Sequence, residues 1–154
     1  MRIVVALVGK PRDSALATAI RDYEGRATRY WPLEFREVRE ESGRSLPPQQ
    51  VRERESERLV AVVPGGAHVV SCELGGVAMS SEAFAQWLQK RREEARDIAF
   101  LIGGAHGLGE PAQRMTSTRL ALAPWTLPHE IARLVLAEQL YRAGTIVRGE
   151  PYHK

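Results

Sequence analysis

Apolar positions along the chain follow two rhythms. Arg2–Val8 (RIVVALV), Ala67–Cys72 (AHVVSC) and Ile98–Ile102 (IAFLI) are short runs with little or no polar alternation. Such runs predict strands covered on both faces, as in a parallel sheet. Elsewhere apolar residues recur at helical spacing. Leu16, Ala17, Ile20 and Tyr23 predict a helix capped by Asp13 or Ser14, and Phe84, Trp87, Leu88 and the stem of Arg91 predict one capped by Ser80 or Ser81 and ending near Ala95. Between them, Val51, Leu59 and Val62 form a thin stripe among Arg/Glu pairs over about 50–62, which reads as a solvent-facing helix. A closing helix is predicted from about Pro128 to Ala143, with Thr126 or Leu127 near its N-cap and Gly144 at its C-cap.

The weaker signals fill the gaps. Leu33–Val38 carries Glu34, Arg36 and Glu37, so this strand belongs near a sheet edge; Pro111–Met115 predicts a helical turn, and Arg119–Ala123 a short last strand. Glu40–Gln50 is rich in Ser, Gly, Pro and charge and is expected to be a mobile loop. The tail Arg148–Lys154 is too short and polar to pack as an element. Alternating strands and helices predict an α/β fold, a mostly parallel sheet flanked by helices. The closing helix is apolar on more than one face, through Ile131, Leu134, Val135 and Tyr141 and, around the back, Ala132, Leu136 and Leu140. Two such faces suggest one against the sheet and one against a second subunit.

Composition narrows the function classes. With 154 residues, no repeats and no linker, the chain is expected to form a single domain over 1–154. Apolar residues at 44% and charged residues at 27% exclude disorder. No apolar run approaches the roughly 20 residues of a membrane span, and the start lacks a signal-peptide pattern, so a cytoplasmic protein is expected. Cys72 is the only cysteine, which excludes an intrachain disulfide, and the four histidines lack metal-ligand spacing, so no metal is expected. Of the 22 cations 19 are Arg, whose fork suits phosphate, but a net charge of +3 admits a polyanionic partner without requiring one.

Motif tests remove the commoner chemistries. The loop after Ile98–Ile102 reads GGAHGLG and lacks the G-x-G-x-x-G spacing of a dinucleotide site; no P-loop or G-x-S-x-G elbow occurs, and His129-Glu130 is followed by Arg133 where a zincin needs its second His. Three segments remain: Ser71–Gly76, Ile102–Gly107, and Ala123 to Pro128. In open α/β sheets ligands bind at strand C-termini. Together these segments predict a pocket of main-chain groups and apolar packing suited to an adenine. On the closing helix, Glu138 and Arg142 stand four apart, the order of an ordinary surface ion pair. Beside a Tyr-His-Lys terminus they also read as an anion-handling and proton-transfer cluster. His129 is read as a helix-start residue without chemistry.

LIGGAHGL (Leu101–Leu108), TLPHEIARLVLAEQLYRA (Thr126–Ala143) and the terminal PYHK together resemble the ribosomal large-subunit pseudouridine N3-methyltransferases of the SPOUT superfamily. The match covers about the last third of the chain in motif detail, and residues 1–97 in length and element order. The resemblance implies a trefoil knot within about 68–154, a homodimer, and S-adenosyl-L-methionine as methyl donor. Carried over by motif position, the donor pocket comprises Cys72, Glu73, Gly103, Gly104, Ala123, Pro124, Trp125, Thr126, Leu127 and Pro128. The catalytic neighbourhood comprises Glu138, Arg142, Tyr152, His153 and Lys154. The implied substrate is a pseudouridine of 23S rRNA on the assembled ribosome; a SPOUT enzyme for another RNA such as tRNA, or a non-catalytic ribosome-binding factor, is the alternative. Three departures from the family pattern stand out: His106, Lys154 where Arg is usual, and Cys72 where an aliphatic is usual.

Overall fold

The computed structural model describes residues 1–42 and 44–154. The order is β1 (Ile3–Val8), α1 (Ser14–Ala27), β2 (Leu33–Val38), α2 (Pro48–Ala61), β3 (His68–Ala78), α3 (Ser81–Glu93), β4 (Ile98–Ile102), α4 (Glu110–Met115), β5 (Thr118–Ala121) and α5 (His129–Val147). The strands form one sheet in the order β2-β1-β4-β3-β5, with every neighbouring pair parallel. The unbroken apolar runs lie where expected. β1 and β4 are buried along their whole lengths near the sheet centre, while β2, with its charges, and β5 form the edges.

Strand alternation divides the core in two. Ile3, Val5, Leu7, Phe100 and Ile102 face a cluster with Ala27 of α1, Trp31 beyond it, Phe84 and Leu88 of α3, and Leu136 and Leu140 of α5. Ala6, Val8, Val69 and Leu101 face Leu59 of α2 and Ala112 of α4. Helices α1, α3 and α5 therefore cover one face of the sheet, and α2 and α4 the other.

Several boundaries differ from expectation for local physical reasons. Helix α2 begins at Pro48, where a proline suits the first turn, rather than near Gln50. The expected mobile loop includes Gly43, which lies outside the described residues; beside it, Glu41 pairs with Arg54 and Arg58, and Glu40 with Arg12. Strand β3 runs on to Ala78 because Cys72 and Val77 both pair with Leu120, so residues 73–76 bulge out of the ladder. Gly144 is not a C-cap. It lies inside α5, which continues to Val147, and a Cβ there would sit 2.3 Å from the Tyr30 ring, so glycine permits the close approach of α5 to the chain after α1.

The tail also packs, contrary to its short polar appearance. The Tyr152 ring lies 4.5 Å from that of Tyr141, and His153 reaches Glu82 at the start of α3.

Candidate active site

The C-terminal ends of β4 and β5 and the bulged middle of β3 open onto a cleft of about 220 Å³. The β3 bulge contributes Cys72, Glu73 and Leu74; the loop after β4 contributes Ile102, Gly103, Gly104, Ala105, Gly107 and Leu108. The connection from β5 to α5 adds Leu122, Ala123, Trp125, Thr126 and Leu127, and α5 adds His129 and Ala132. All three segments singled out in the sequence thus converge. Pro124 and Pro128 stand outside this lining, Pro128 as the N-cap of α5. His129, read as chemically silent, is part of the wall.

The cleft is built from backbone and apolar side chains, with few charges. Burial, helped by the Glu73 carboxylate, pushes the Cys72 thiol up to about 12, so it stays a neutral wall residue. Glu73 Oε1 accepts from Arg119 Nη2 at 2.8 Å, while its buried Oε2 has no protein partner. Trp125 stands at the mouth, 76% exposed.

The glycine loop closes on itself. Gly107 N donates to Gly104 O at 3.0 Å, and a Cβ on Gly103 would lie 2.6 Å from the Gly107 carbonyl carbon. Gly103 is therefore required by the loop's own packing, and the open face of the loop is left for a ligand.

Helix α2, expected to be merely solvent-facing, backs this loop. Ser56 Oγ, fully buried, accepts from Gly109 N at 2.7 Å. Glu55 is 2% exposed; its Oε2 accepts from Glu41 N at 3.1 Å, and its Oε1 has no partner and lies 2.9 Å from where a Gly104 Cβ would be. Burial raises the Glu55 pKa and the Glu40 charge adds to the rise, against the Glu41 amide, Arg58 and His106. A signal existed in the sequence: Glu55 stands four residues after Val51 and four before Leu59, on the apolar stripe itself.

The second predicted group forms a separate cluster on the outer side of α5. Glu138 Oε1 accepts from Arg142 Nε at 2.9 Å, Arg142 Nη2 at 2.6 Å and the Tyr152 hydroxyl at 3.1 Å. Arg142 Nη1 lies 3.1 Å from His153 Nδ1, and His153 Nε2 lies 2.7 Å from Glu82 Oε1. A guanidinium can only donate, so Nδ1 is the acceptor and the ring proton sits on Nε2, aimed at Glu82. Burial, the hydrogen bond with Tyr23 and the one donated to Glu138 raise the Tyr152 pKa, keeping its hydroxyl protonated. Lys154 follows, exposed. None of these residues lines the cleft of the same chain. At 1.5 Å per residue, Glu138 and Arg142 lie about 9 and 15 Å farther along α5 than Ala132.

Comparison with known proteins assigns the family. A family profile described as "Predicted SPOUT methyltransferase" matches residues 1–153. The chain belongs to the SPOUT methyltransferase family. A relative from Gemmatimonas aurantiaca, named Ribosomal RNA large subunit methyltransferase H, is 63% identical over 154 residues, 100% of either chain. Another of the same name from Geobacter sp. (strain M21) is 41% identical over 99% of each. Among solved structures, a probable methylase family protein from Haemophilus influenzae Rd KW20 superposes with a TM-score of 0.55 at 14% identity, covering 99% of this chain and 70% of that one. This likeness bears on the fold, and the SPOUT architecture read from the C-terminal motifs is that of the whole chain. Among the described residues no helix is long and apolar enough to cross a membrane, and no group of three His, Cys, Asp or Glu can hold a metal ion.

Proposed function

We propose that this SPOUT protein transfers a methyl group from S-adenosyl-L-methionine to large-subunit ribosomal RNA, at N3 of a pseudouridine in 23S rRNA. The observation that carries the reading is the convergence of three strand-end segments on one cleft, in a chain 63% identical to a protein named for methylating that RNA. The cleft fits the donor: Ile102, Leu122, Leu127 and Ala132 offer apolar walls for an adenine, the 103–104 and 123–127 main chain offers polar groups, and Glu73 Oε2 is a buried acceptor without a partner. When bound, S-adenosyl-L-methionine supplies an electrophilic methyl on a sulfonium.

The tail cluster handles the acceptor. Arg142, oriented by Glu138, binds a ring carbonyl or flanking phosphate, and N3 becomes nucleophilic by losing its imide proton. His153 is the base: its Nδ1 lone pair is held by Arg142, and is released to take that proton when Arg142 turns to the substrate. Tyr152 and Lys154 complete the substrate-facing group.

Because the cluster lies away from its own cleft, the cluster of one protomer serves the cleft of its partner in a homodimer. Leu74 and Val77, 58% and 60% exposed, and the half-buried Ile131, Leu134 and Val135 supply apolar surface for that contact. The reading keeps residues 1–154 as one cytoplasmic catalytic unit, with the trefoil knot in its C-terminal part. It is tested by incubating the purified protein with ribosomes and labelled donor, then locating the methyl by mass spectrometry. A methylated pseudouridine in 23S rRNA is expected. A methyl in transfer RNA alone would redirect the enzyme to another substrate, and absence of donor binding would make the chain a non-catalytic factor.

A further inference from the structure

At the end of the sheet opposite the cleft, α1, α3 and α5 all terminate around the turn Arg29-Tyr30-Trp31. The Arg92 guanidinium lies 4.0 Å over the Trp31 ring and that of Arg148 lies 4.6 Å over Tyr30. Each donates one hydrogen bond to the turn: Arg92 Nη2 to Tyr30 O at 2.7 Å, and Arg148 Nη2 to Arg29 O at 3.2 Å. A guanidinium has five donors, so most remain unused. Among the described residues neither these two arginines nor the exposed Arg29 has a carboxylate within ion-pair distance. Glu150, just beyond α5, accepts from the Tyr30 hydroxyl. Burial, and the charge of Arg148, lower the Arg92 pKa, and Glu150 is engaged by the Tyr30 hydroxyl, so among the described residues the three arginines stand without an ion-pair partner.

Arginines at helix C-termini also complement the helix dipoles. That explains their sign but not their stacking on aromatic rings, nor a continuous path to the tail cluster. Tyr141 links the two: its ring lies 5.8 Å from Tyr30 and 4.5 Å from Tyr152, over which Arg142 lies at 4.8 Å. With Trp31 buried beneath Arg92, the partly exposed Tyr30, Tyr141 and Tyr152 and the guanidinium groups beside them make a surface suited to a nucleic-acid backbone.

We infer that Arg29, Arg92 and Arg148 form a phosphate-binding surface that continues the substrate track from the tail cluster and holds the RNA backbone at a distance from the reacting base. The inference rests on RNA being the substrate. In such a surface each cation that contacts a phosphate displaces a counterion, so binding is salt-dependent in proportion to their number.

The test uses the full chain and the exposed pair Arg29→Gln/Arg148→Gln, with Arg29→Lys/Arg148→Lys as charge-keeping control. Binding to protein-free 23S rRNA is measured across a salt series, and the KM for ribosomes at low salt. The glutamine pair should lower the salt slope by roughly 0.7–0.9 for each cation lost, and raise the ribosome KM severalfold without moving donor affinity. The lysine pair should restore the slope. A slope and KM equal to wild type in the glutamine pair overturn the inference, as does weaker ribosome binding with an unchanged slope on free RNA, which would point to a protein contact. Failure of the wild-type chain to methylate RNA would instead strike the functional reading.

Discussion

The cleft and the tail cluster are both sites in the same 154-residue chain, yet they are built by opposite means. The cleft is made of strand ends, glycines and apolar side chains, and its walls come together within one chain. The cluster is made of charged and aromatic side chains spaced along α5 and the tail, each held by the others: Glu138 by Arg142 and Tyr152, His153 by Arg142 and Glu82. Backbone geometry fixes a site rigidly, whereas a network of side chains can exchange partners when a substrate arrives. A donor that must be held in one pose suits the first construction, and an RNA base that must be gripped and deprotonated suits the second.

If the two regions divide the work in this way, variants should separate them. Gly103→Ala places a Cβ 2.6 Å from the Gly107 carbonyl carbon. The loop must shift, costing about 1–3 kcal/mol of stability, and donor binding measured by calorimetry should fall below detection while RNA binding persists. Arg142→Ala should do the reverse, keeping donor affinity while methyl transfer drops about 10²–10³-fold, the range for removing one electrostatic contact to a reacting centre. Equal loss of donor binding in both variants would mean that the regions are not separate.

Mixing the two variants sharpens the comparison. Co-expressed Gly103→Ala and Arg142→Ala chains, each inactive as a homodimer, should regain roughly a quarter of wild-type transfer, because half of the dimers are mixed and each has one intact composite site. No recovery would place the cleft and cluster of a single site in the same chain.

The same contrast explains what the sequence made legible. Strand-end segments are contiguous in the chain, and Ile98–Ile102 running into Gly103-Gly104 announces itself locally. Most of the cleft's lining therefore falls within those segments, while Leu108, Leu122, His129 and Ala132 lie beyond them and Pro124 and Pro128 stay outside the lining. The features that are not legible locally depend on contacts remote in sequence. Gly144 looks like a helix stop until Tyr30 is packed against it, and the Gly75-Gly76 pair looks like a loop until β5 pairs on both sides of the bulge. The PYHK tail looks free until Tyr141 and Glu82 receive it. Helix α2 looks solvent-facing because its charges nearly balance, which conceals that one of its acids points inward.

That acid, Glu55, provides the mildest test, of how far the glycine loop depends on the structure behind it. Burial raises its pKa, so between the ordinary carboxylate value and the raised one the folded chain binds a proton that the unfolded chain does not. Stability from this residue is therefore fully present at low pH and lost as pH rises through the folded pKa. Glu24 shifts in the same direction and remains in the variant as an internal reference. Glu55→Gln keeps the shape behind Gly104 and an acceptor for the Glu41 amide but cannot ionise. Thermal melts of wild type and variant should agree near pH 4 and diverge toward pH 8, the variant being more stable by on the order of 1 kcal/mol, low in the range for a buried acceptor without a partner. Donor affinity should stay near wild type. A gap that stays constant with pH would show that folding does not shift the Glu55 pKa. A gap that opens together with a loss of donor affinity would show that the carboxylate charge, and not only its shape, holds the glycine loop in place.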